Sequence, residues 1–490
     1  MLIADQDWGV PPIGFADAML DPSGRLKVSR GQNVYDVDFE YGLQPLRWEN
    51  FTAAGATVSH MPQEGGVRMR APAAGDIAIR QSRPYFRYQP SKGIYASAAV
   101  LFGGPPPFTS MFRRVGLFDA DNGIFFEQDW EGLWVVRRAS TGAGVIDTRV
   151  RQSLWSIDPL DGRGRSGRVL DPTRIQMAVM DYAWYGAGRC RLGFVISGKL
   201  LWCHAFDQAN TPGAILPWSR SGNLPCRYEL RRLAGGPIMD FWHWGVSVVV
   251  EGGFDEQRGF TFPHANSARV AVTTRRPILA SRIRPMAVID ETNTATGGGT
   301  NQLSRTGAGW TTNQWRGRYL RLTGGTGAGQ QARITSNTSV TLSVDNPLTE
   351  SNTPFSPAPD ATTQYQIGLV NRGQLVPQQL IVSSDAAAYF ELVIGGTLTG
   401  PTWQGLSTLG SPASLSEQDT AAAAITGGER VWAGYTPAGG QGVQVFDLRQ
   451  LQALSTTIQG ATPETLSLVA TSFSGTANVA ATILDSEALS

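Results

Sequence analysis

The sequence is poor in cysteine, histidine and net charge. Its 490 residues include 3 cysteines and 4 histidines, and 41 basic side chains stand against 40 acidic ones, a net charge of +1 at pH 7. This balance gives no global field to attract nucleic acid or an anionic membrane, so neither is expected as a partner. Cys190, Cys203 and Cys226 lack the spacing of a disulfide framework or a C-x-x-C zinc site, which predicts buried free thiols.

Long apolar runs are also missing. No run approaches the ~18 residues that a membrane helix needs, so we predict no membrane insertion. The first residues, Met1–Asp5, lack a basic region followed by an apolar core, and no secretory signal is expected. The sequence therefore predicts synthesis in a reducing cytoplasm.

Motifs for nucleophilic or metal catalysis are absent as well. No H-E-x-x-H, G-x-S-x-G or Cys/His signature is present, and His204, in an apolar strand, is predicted to be a satisfied core residue. Gly162–Gly167 fits a dinucleotide fingerprint by its letters, but Asp171-Pro172 and a β-type run follow it instead of a helix. Gly324–Gly329 lacks the Lys-Ser/Thr of a P-loop and is predicted to be a hairpin turn. We predict no cofactor and no enzyme.

What the chain has in quantity is turn residues, 57 glycines and 29 prolines, which leave little room for long helices. Its clearest local signal lies in Arg113–Arg138, which has the pattern of a meander of short strands. Asn122-Gly123 stands between apolar runs and predicts a type I′ hairpin turn, because both residues tolerate positive φ.

Many short strands with turns about every 8–12 residues predict an all-β chain of tandem antiparallel β-sandwiches of jelly-roll type. We predict an N-terminal arm at residues 1–44, a first sandwich at 45–252, and a second at 253–287 plus 372–490. Residues 288–371, richer in Thr, Gly, Ser and Asn, predict a small β-barrel module, either inserted into a loop of the second sandwich or in tandem. The run Ala421–Ala424 allows one helical turn.

Two sets of residues are candidates for a site. The acids Asp119, Glu127, Asp129 and Glu131 could supply a carboxylate pair for glycoside hydrolysis. Asp119–Gly123 begins like a calcium loop, but Trp130 stands where the bidentate Glu is needed, so no metal site is predicted.

The second set is aromatic. Trp184, Tyr185, Trp242 and Trp244 could stack on sugar rings, and packing in a core or a subunit interface is the favoured alternative.

Several segments carry a family resemblance. They are Asp21–Ser29, Pro45–Glu49, Tyr85–Lys92, the central meander, Gln152–Asp158 with Leu160–Gly162, Arg189–Phe194 and Asn223–Glu229. Together they resemble a family of tailed-bacteriophage virion structural proteins, over about residues 15–285 and more weakly over 372–490. The 288–370 segment is similar to small β-domains of phage tail and fibre proteins, through Gly309-Trp310 and Trp315–Arg318.

The resemblance implies a structural component of a virion, made in the host cytoplasm, that forms homo-oligomers (trimers or higher) and docks to other virion proteins. A tail, baseplate or fibre position is the first expectation and head decoration the second. No active site carries over with the resemblance. The alternative hypotheses are a carbohydrate-binding adhesin that recognises a host-surface glycan, and a glycan-cleaving enzyme.

Overall fold

The computed structural model describes residues 20–26, 31–142, 144–252, 260–406, 414–437 and 443–488. Within these ranges the chain forms antiparallel strands and one short 3₁₀ turn at Gln152–Leu154, so the predicted all-β fold class is confirmed. None of the described segments is a helix long and apolar enough to cross a membrane.

The first sandwich is built from strands β1 to β15. Their bounds are β1 (Gln32–Val37), β2 (Trp48–Ala53), β3 (Thr57–Met61), β4 (Gly66–Ala71), β5 (Asp76–Ser82), β6 (Ile94–Leu101), β7 (Met111–Phe118), β8 (Gly123–Asp129), β9 (Gly132–Ala139), β10 (Ile146–Arg151), β11 (Gln176–Tyr182), β12 (Cys190–Ile196), β13 (Lys199–Phe206), β14 (Cys226–Arg232) and β15 (Met239–Val250).

These strands form two sheets packed face to face. One has eight strands, in the order β13-β12-β11-β6-β15-β4-β3 with β1 also on β15; the other has seven, in the order β10-β9-β8-β7-β14-β5-β2. Side chains alternate between the faces of a strand, so every second residue of both sheets enters one shared apolar core. Trp48, Phe126, Phe194 and Tyr228 are among its large members.

The predicted meander is confirmed, but its first turn is built differently. β7 pairs with β8 and β8 with β9. The turn rests on Asp119, whose Oδ1 accepts the backbone N–H groups of Asp121 and Asn122, each at 2.8 Å. Only Gly123 has positive φ, at 137°, so the type I′ prediction is wrong. Because the Asp119 carboxylate satisfies the turn amides, Asn122 has no need of a left-handed conformation.

The second sandwich begins with three strands. The chain then forms the module and afterwards returns to the second sandwich. The first three are β16 (Thr261–Ala265), β17 (Val270–Val272) and β18 (Arg276–Ile283). The module contains β19 (Met286–Thr294), β20 (Gly297–Gly299), β21 (Gln302–Ser304), β22 (Tyr319–Gly324), β23 (Gln331–Asn337), β24 (Thr341–Asp345) and β25 (Gln364–Val370). The remainder are β26 (Gln374–Ser384), β27 (Ala388–Ile394), β28 (Thr397–Thr399), β29 (Gln404–Gly405), β30 (Ser416–Asp419), β31 (Ala424–Thr426), β32 (Glu429–Thr436), β33 (Val443–Asp447), β34 (Leu466–Ser472) and β35 (Ala477–Ala488).

Strand pairing separates the module from the sandwich that flanks it in sequence. The sandwich has a sheet β16-β35-β26-β33 with β17 on β35, a sheet β29-β30-β18-β34-β27-β32, and a β28-β31 ribbon. The module has one sheet, β19-β25-β22-β23-β24-β21-β20, around a core of its own. Asn371 N–H donates to Pro285 O at 3.0 Å, so the chain enters and leaves the module at adjacent points.

The Ala421–Ala424 run is extended and not helical. The Asp419 carboxylate accepts the backbone N–H of Ala421 at 3.2 Å and of Ala422 at 3.1 Å, and Ala424 then starts β31. Pairing with β28 holds the end of the run out of a helix, since Ala423 N–H donates to Thr399 O at 3.0 Å and Ala424 is opposite Thr399.

A small apolar cluster joins the two sandwiches and the module. We call it the junction cluster: Ile77, Ile79, Ala120, Leu348 and Ile458. It draws on β5, the β7–β8 turn, the module and the loop between β33 and β34. Because one buried cluster takes side chains from all three units, they pack as a single body.

The three cysteines are buried free thiols, as predicted. Burial raises the pKa of Cys190 to about 12, and it also raises the pKa values of Cys203 and Cys226. Since the thiolate is the reactive form, we expect no reaction with Ellman's reagent at pH 8 in the native state and three equivalents in guanidinium chloride. Rapid labelling of a native thiol would contradict this arrangement.

Candidate functional site

The outward face of the seven-stranded sheet carries charged side chains that are buried. Glu229 on β14 accepts hydrogen bonds from Arg114 Nη1 at 2.6 Å and Arg231 Nε at 2.5 Å. Arg227 Nη1 lies 3.6 Å from the same carboxylate. Burial alone would raise the pKa of Glu229, but the surrounding guanidinium groups lower it well below its usual range. We call these four residues and Glu127 the buried charge network.

Two of the predicted carboxylates, Glu127 and Asp129, share one arginine. Arg149 Nη2 lies 2.5 Å from Glu127 Oε1 and 2.6 Å from Asp129 Oδ2. Arg114 Nε also donates to Glu127, and Trp134 Nε1 donates to Asp129 Oδ1 at 2.8 Å. Both carboxylates are thus engaged by side chains of their own sheet.

Glu131 is separated from the other acids. It lies in the β8–β9 turn with its side chain 32% exposed, 3.7 Å from Arg151 Nη1. Its neighbour Trp130 is 49% exposed. The structure therefore does not bring the four predicted acids into one cleft.

The β7–β8 turn is buried under the module. Arg372 Nε lies 3.5 Å from Asp119 Oδ2, and Tyr319 O–H donates to Asp121 Oδ2 at 2.8 Å. Arg333 Nη1 is 3.6 Å from Asp121 Oδ1. Burial acts to raise the pKa of Asp119, but Arg372 and the turn amides outweigh it and lower the pKa. Guanidinium groups thus neutralise both acids of the calcium-like spacing, and the described residues include no cluster of His, Cys, Asp or Glu that could hold a metal.

Two histidines lie inside the first sandwich. His204 is 7% exposed and its Nδ1 accepts the Ser156 N–H at 3.0 Å, which confirms the predicted core role. Burial lowers the pKa of His204 to about 4. His243 stacks on Tyr228 with ring centroids 3.9 Å apart, and burial lowers its pKa well below the usual value. Both are neutral at physiological pH.

The second sandwich contains a relay that the sequence did not reveal. His264 Nδ1 lies 2.9 Å from Asp485 Oδ2, and His264 Nε2 lies 3.0 Å from Ser416 Oγ. These are the contacts of a Ser–His–Asp triad. However, all three residues have no exposed surface, and Ser416 O–H donates to Glu487 Oε1 at 2.7 Å. The group joins β16, β30 and β35 as a sealed polar network, out of reach of a substrate.

The two glycine-rich segments are loops. Gly162 N–H bonds to Arg168 O at 3.0 Å, which closes an exposed loop that carries Arg163 and Arg165. Gly329 N–H donates to Leu322 O at 2.8 Å between β22 and β23, so the hairpin predicted for Gly324–Gly329 is confirmed.

The first predicted aromatic pair is at one end of the eight-stranded sheet. Trp184 is half-buried and its Nε1 donates to Ser219 O at 3.0 Å. Tyr185 is 57% exposed, and its hydroxyl bonds to Ser91 Oγ at 2.6 Å. Both rings lie edge-on to Tyr88, at 5.9 and 6.3 Å between centroids.

The second pair is on the outward face of β15. Trp242 and Trp244 are half-buried, with ring centroids 6.5 Å apart and planes inclined by 19°. Arg68 of the neighbouring β4 lies over Trp242 at 5.6 Å, and Trp244 Nε1 donates to Glu64 O at 2.9 Å. Asp240, on the same face, is 3.8 Å from Arg70. We call Trp242, Trp244 and Arg68 the aromatic platform.

The register keeps the two aromatic pairs apart. Tyr182, just before Trp184, is opposite Ile94, whereas Trp242 is opposite Leu101. These partners are the first and last residues of β6, so the pairs occupy opposite ends of the strand. They cannot form one site.

Three cavities lie end to end where the first sandwich meets the second. Their volumes are about 510, 170 and 600 Å³. The first two share the segment 450–453, and the last two share Leu46, Ile394 and Glu464. We call them together the inter-sandwich groove.

Amides, an aromatic ring and one ion pair line this groove. Arg282 lies 3.7 Å from the ring centroid of Trp403, and Arg83 Nη1 is 2.8 Å from Glu464 Oε1. Burial raises the pKa of Glu464, and Arg83 only partly opposes this. The amide side chains are Gln32, Asn33, Gln374, Gln450 and Gln452. These residues come from loops and strand ends in distant parts of the chain, so no local pattern could have indicated them.

Comparison with known proteins shows no matching family model and no matching curated protein. Solved structures give partial matches. An endo-1,3-β-glucanase from Streptomyces sioyaensis is 9% identical, with 46% of this chain and 98% of that chain covered and a TM-score of 0.33. Arcelin-5, a lectin-like defence protein from Phaseolus vulgaris, is 6% identical over 44% and 97%, with a TM-score of 0.28.

The receptor-binding domain of botulinum neurotoxin type G is 7% identical, with 64% of this chain and 66% of that chain covered and a TM-score of 0.26. Likenesses at such TM-scores carry no argument about function.

Proposed function

We propose that this chain is a carbohydrate-binding β-sandwich protein that holds a glycan on the aromatic platform without cleaving it. The observation that carries the proposal is the pair of half-buried rings, Trp242 and Trp244, beside charged hydrogen-bonding side chains on one sheet face. A sugar ring has an apolar C–H face and a rim of hydroxyl groups, which fits a flat aromatic surface bordered by such groups.

The platform is held in place before a ligand arrives. The bond from Trp244 Nε1 to Glu64 O fixes one ring, and Arg68 packs over the other. Both tryptophans project from β15, which is paired on both sides. Little side-chain freedom remains to be lost on binding, and this favours affinity.

The test is a glycan array with the full chain, followed by titration of the strongest ligand with variants. We expect Trp242→Ala and Trp244→Ala each to weaken binding at least tenfold, about 1.4 kcal/mol, because each removes a stacking surface. Trp130→Ala is the control, since Trp130 is more exposed than either platform ring, at 49%, and lies at the other sheet, so its loss should leave affinity unchanged. A silent array, or equal affinities for all the variants, would refute the proposal.

A second candidate function is the structural role in a tailed-phage particle that the sequence resemblance implies. The junction cluster favours it, because it joins three β-units into one body suited to bear load between neighbours. In this role the chain would form trimers or higher oligomers and contact other virion proteins. Mass spectrometry of purified virions tests it: absence of the chain from the particle would eliminate this role and leave the platform unaffected.

A further inference from the structure

We propose that the inter-sandwich groove is a separate carbohydrate site that takes an extended oligosaccharide, whereas the platform takes a short or terminal unit. The inference assumes that the ligand class is carbohydrate, as in the proposed function, but it depends on none of the platform residues. Its starting observation is the continuity of the three cavities, which gives an elongated channel with shared walls.

The walls of the groove are fixed by direct bonds between the sandwiches. Ser455 Oγ donates to Arg83 O at 2.6 Å, Ile458 N–H donates to Glu49 Oε2 at 2.9 Å, and Arg83 pairs with Glu464. The loop between β33 and β34 therefore joins both sandwiches and forms one side of the channel. A preformed channel of this kind is what ligand sites at domain boundaries usually show.

One end of the groove is suited to hydroxyl groups. A side-chain amide offers both donors and acceptors, so a row of them matches the mixed polarity of sugar hydroxyls. Gln450 and Gln452 make no side-chain hydrogen bond to any other described residue. They face a cavity that Gln32 and Gln374 also line. Their bonding capacity is directed at the groove or its solvent.

The other end offers a stacking surface. Arg282 lies over the ring of Trp403 and is itself held by Glu417, with Arg282 Nε 2.6 Å from Glu417 Oε1. Arg282 is thus a positioning residue for the indole. Thr397, Thr457 and Thr462 line the same cavity and add hydroxyl groups. Amides at one end and a fixed indole at the other favour a linear glycan over a peptide, which would need a free strand edge or regularly spaced apolar pockets.

Calorimetric titration of the full chain tests this, with two linear probes: cellohexaose, which is neutral, and hexagalacturonate, which is acidic. We expect one of them to bind at least tenfold more tightly than its monosaccharide. We further expect Gln450→Ala/Gln452→Ala and Trp403→Ala each to weaken hexasaccharide binding at least tenfold, and Trp242→Ala/Trp244→Ala to leave it within twofold.

Hydrogen exchange on the unmodified chain provides a second readout that no folding defect can imitate. The bound hexasaccharide should slow exchange in the segment 448–454 and leave β15 unchanged. Hexasaccharide binding lost only in the β15 variants would overturn the groove and support the platform. Hexasaccharide binding lost only in the groove variants would support the groove. If the β15 variants also left binding of the array ligands unchanged, the platform would be refuted. No binding of either probe, or binding no tighter than that of the monosaccharide, would overturn the groove proposal.

Discussion

Glu229→Gln is expected to destabilise the first sandwich by about 3–5 kcal/mol at pH 7, the usual cost of breaking a buried ion pair from one side. The Glu229 side chain has no exposed surface, and glutamine would remove the one carboxylate that Arg114, Arg231 and Arg227 share, leaving Arg114 with Glu127 and Arg231 with Glu350. Denaturant unfolding followed by tryptophan fluorescence measures the loss in the free energy of unfolding.

The pH dependence of the unfolding free energy distinguishes loss of the charge from a simple loss of packing. The folded-state pKa of Glu229 is depressed, so its stabilising contribution is fully present above the unfolded pKa, about 4.3, and is lost as pH falls through the folded value. Glutamine does not titrate, so the difference in unfolding free energy between wild type and variant should begin to narrow as pH falls below about 4.3 and should narrow further towards the folded value.

The control for Glu229→Gln is Asp447→Asn. Asp447 pairs with Arg449, but both side chains are more than half exposed, at 53% and 69%. The substitution should leave the midpoint of denaturant unfolding unchanged, because an exposed ion pair contributes little to stability. Equal stability of the Glu229 and Asp447 variants would show that the buried charge network does not stabilise the fold.

Arg372→Met is the second substitution with a large expected effect, a destabilisation of about 3–5 kcal/mol at pH 7. Methionine keeps much of the apolar stem but leaves the buried carboxylate of Asp119 without its cation. The expected result is a thermal transition at lower temperature, together with faster hydrogen exchange in the β7–β8 turn, because the ion pair from Arg372 would no longer hold that turn.

The stability deficit of Arg372→Met is also expected to depend on pH in a specific direction. In the wild type the pKa of Asp119 is lowered, so its stabilising effect is present above the unfolded pKa, about 3.9, and is lost in acid. Without Arg372, burial would raise that pKa instead, and protonation would relieve the defect. The deficit of the variant should therefore shrink between pH 7 and pH 4. Asp119→Asn added to Arg372→Met should recover part of the loss at pH 7; a double variant no more stable than Arg372→Met would contradict the pairing.

The strands were predictable from the sequence because their causes are local. The alternation of apolar and polar residues predicted β12, and the turn signal at Gly123 predicted the β7–β8 hairpin. The environment of that hairpin was not predictable. Asp119 and Asp121 have the pattern of a solvated turn, yet side chains from the module and from Arg372, hundreds of positions later, cover them.

The candidate site, too, was predictable only in part. Trp242 and Trp244 could be selected because two residues of separation on a strand places them on one face. Their distance from Trp184 depends on the register of β6 and β11, which single strands do not encode. The groove residues Trp403 and Gln450 line different cavities, each of which also takes residues of the first sandwich, such as Arg83 and Arg47, so no spacing in the chain indicates them.

The junction cluster also bears on the order in which the protein is made. Ile77, Ile79 and Ala120 leave the ribosome long before Leu348 and Ile458, which cover them. During synthesis the first sandwich therefore exposes this apolar face until Leu348 and Ile458 have been made. Transiently exposed apolar surface favours non-native association, so we expect the nascent chain to be most prone to aggregate in this interval.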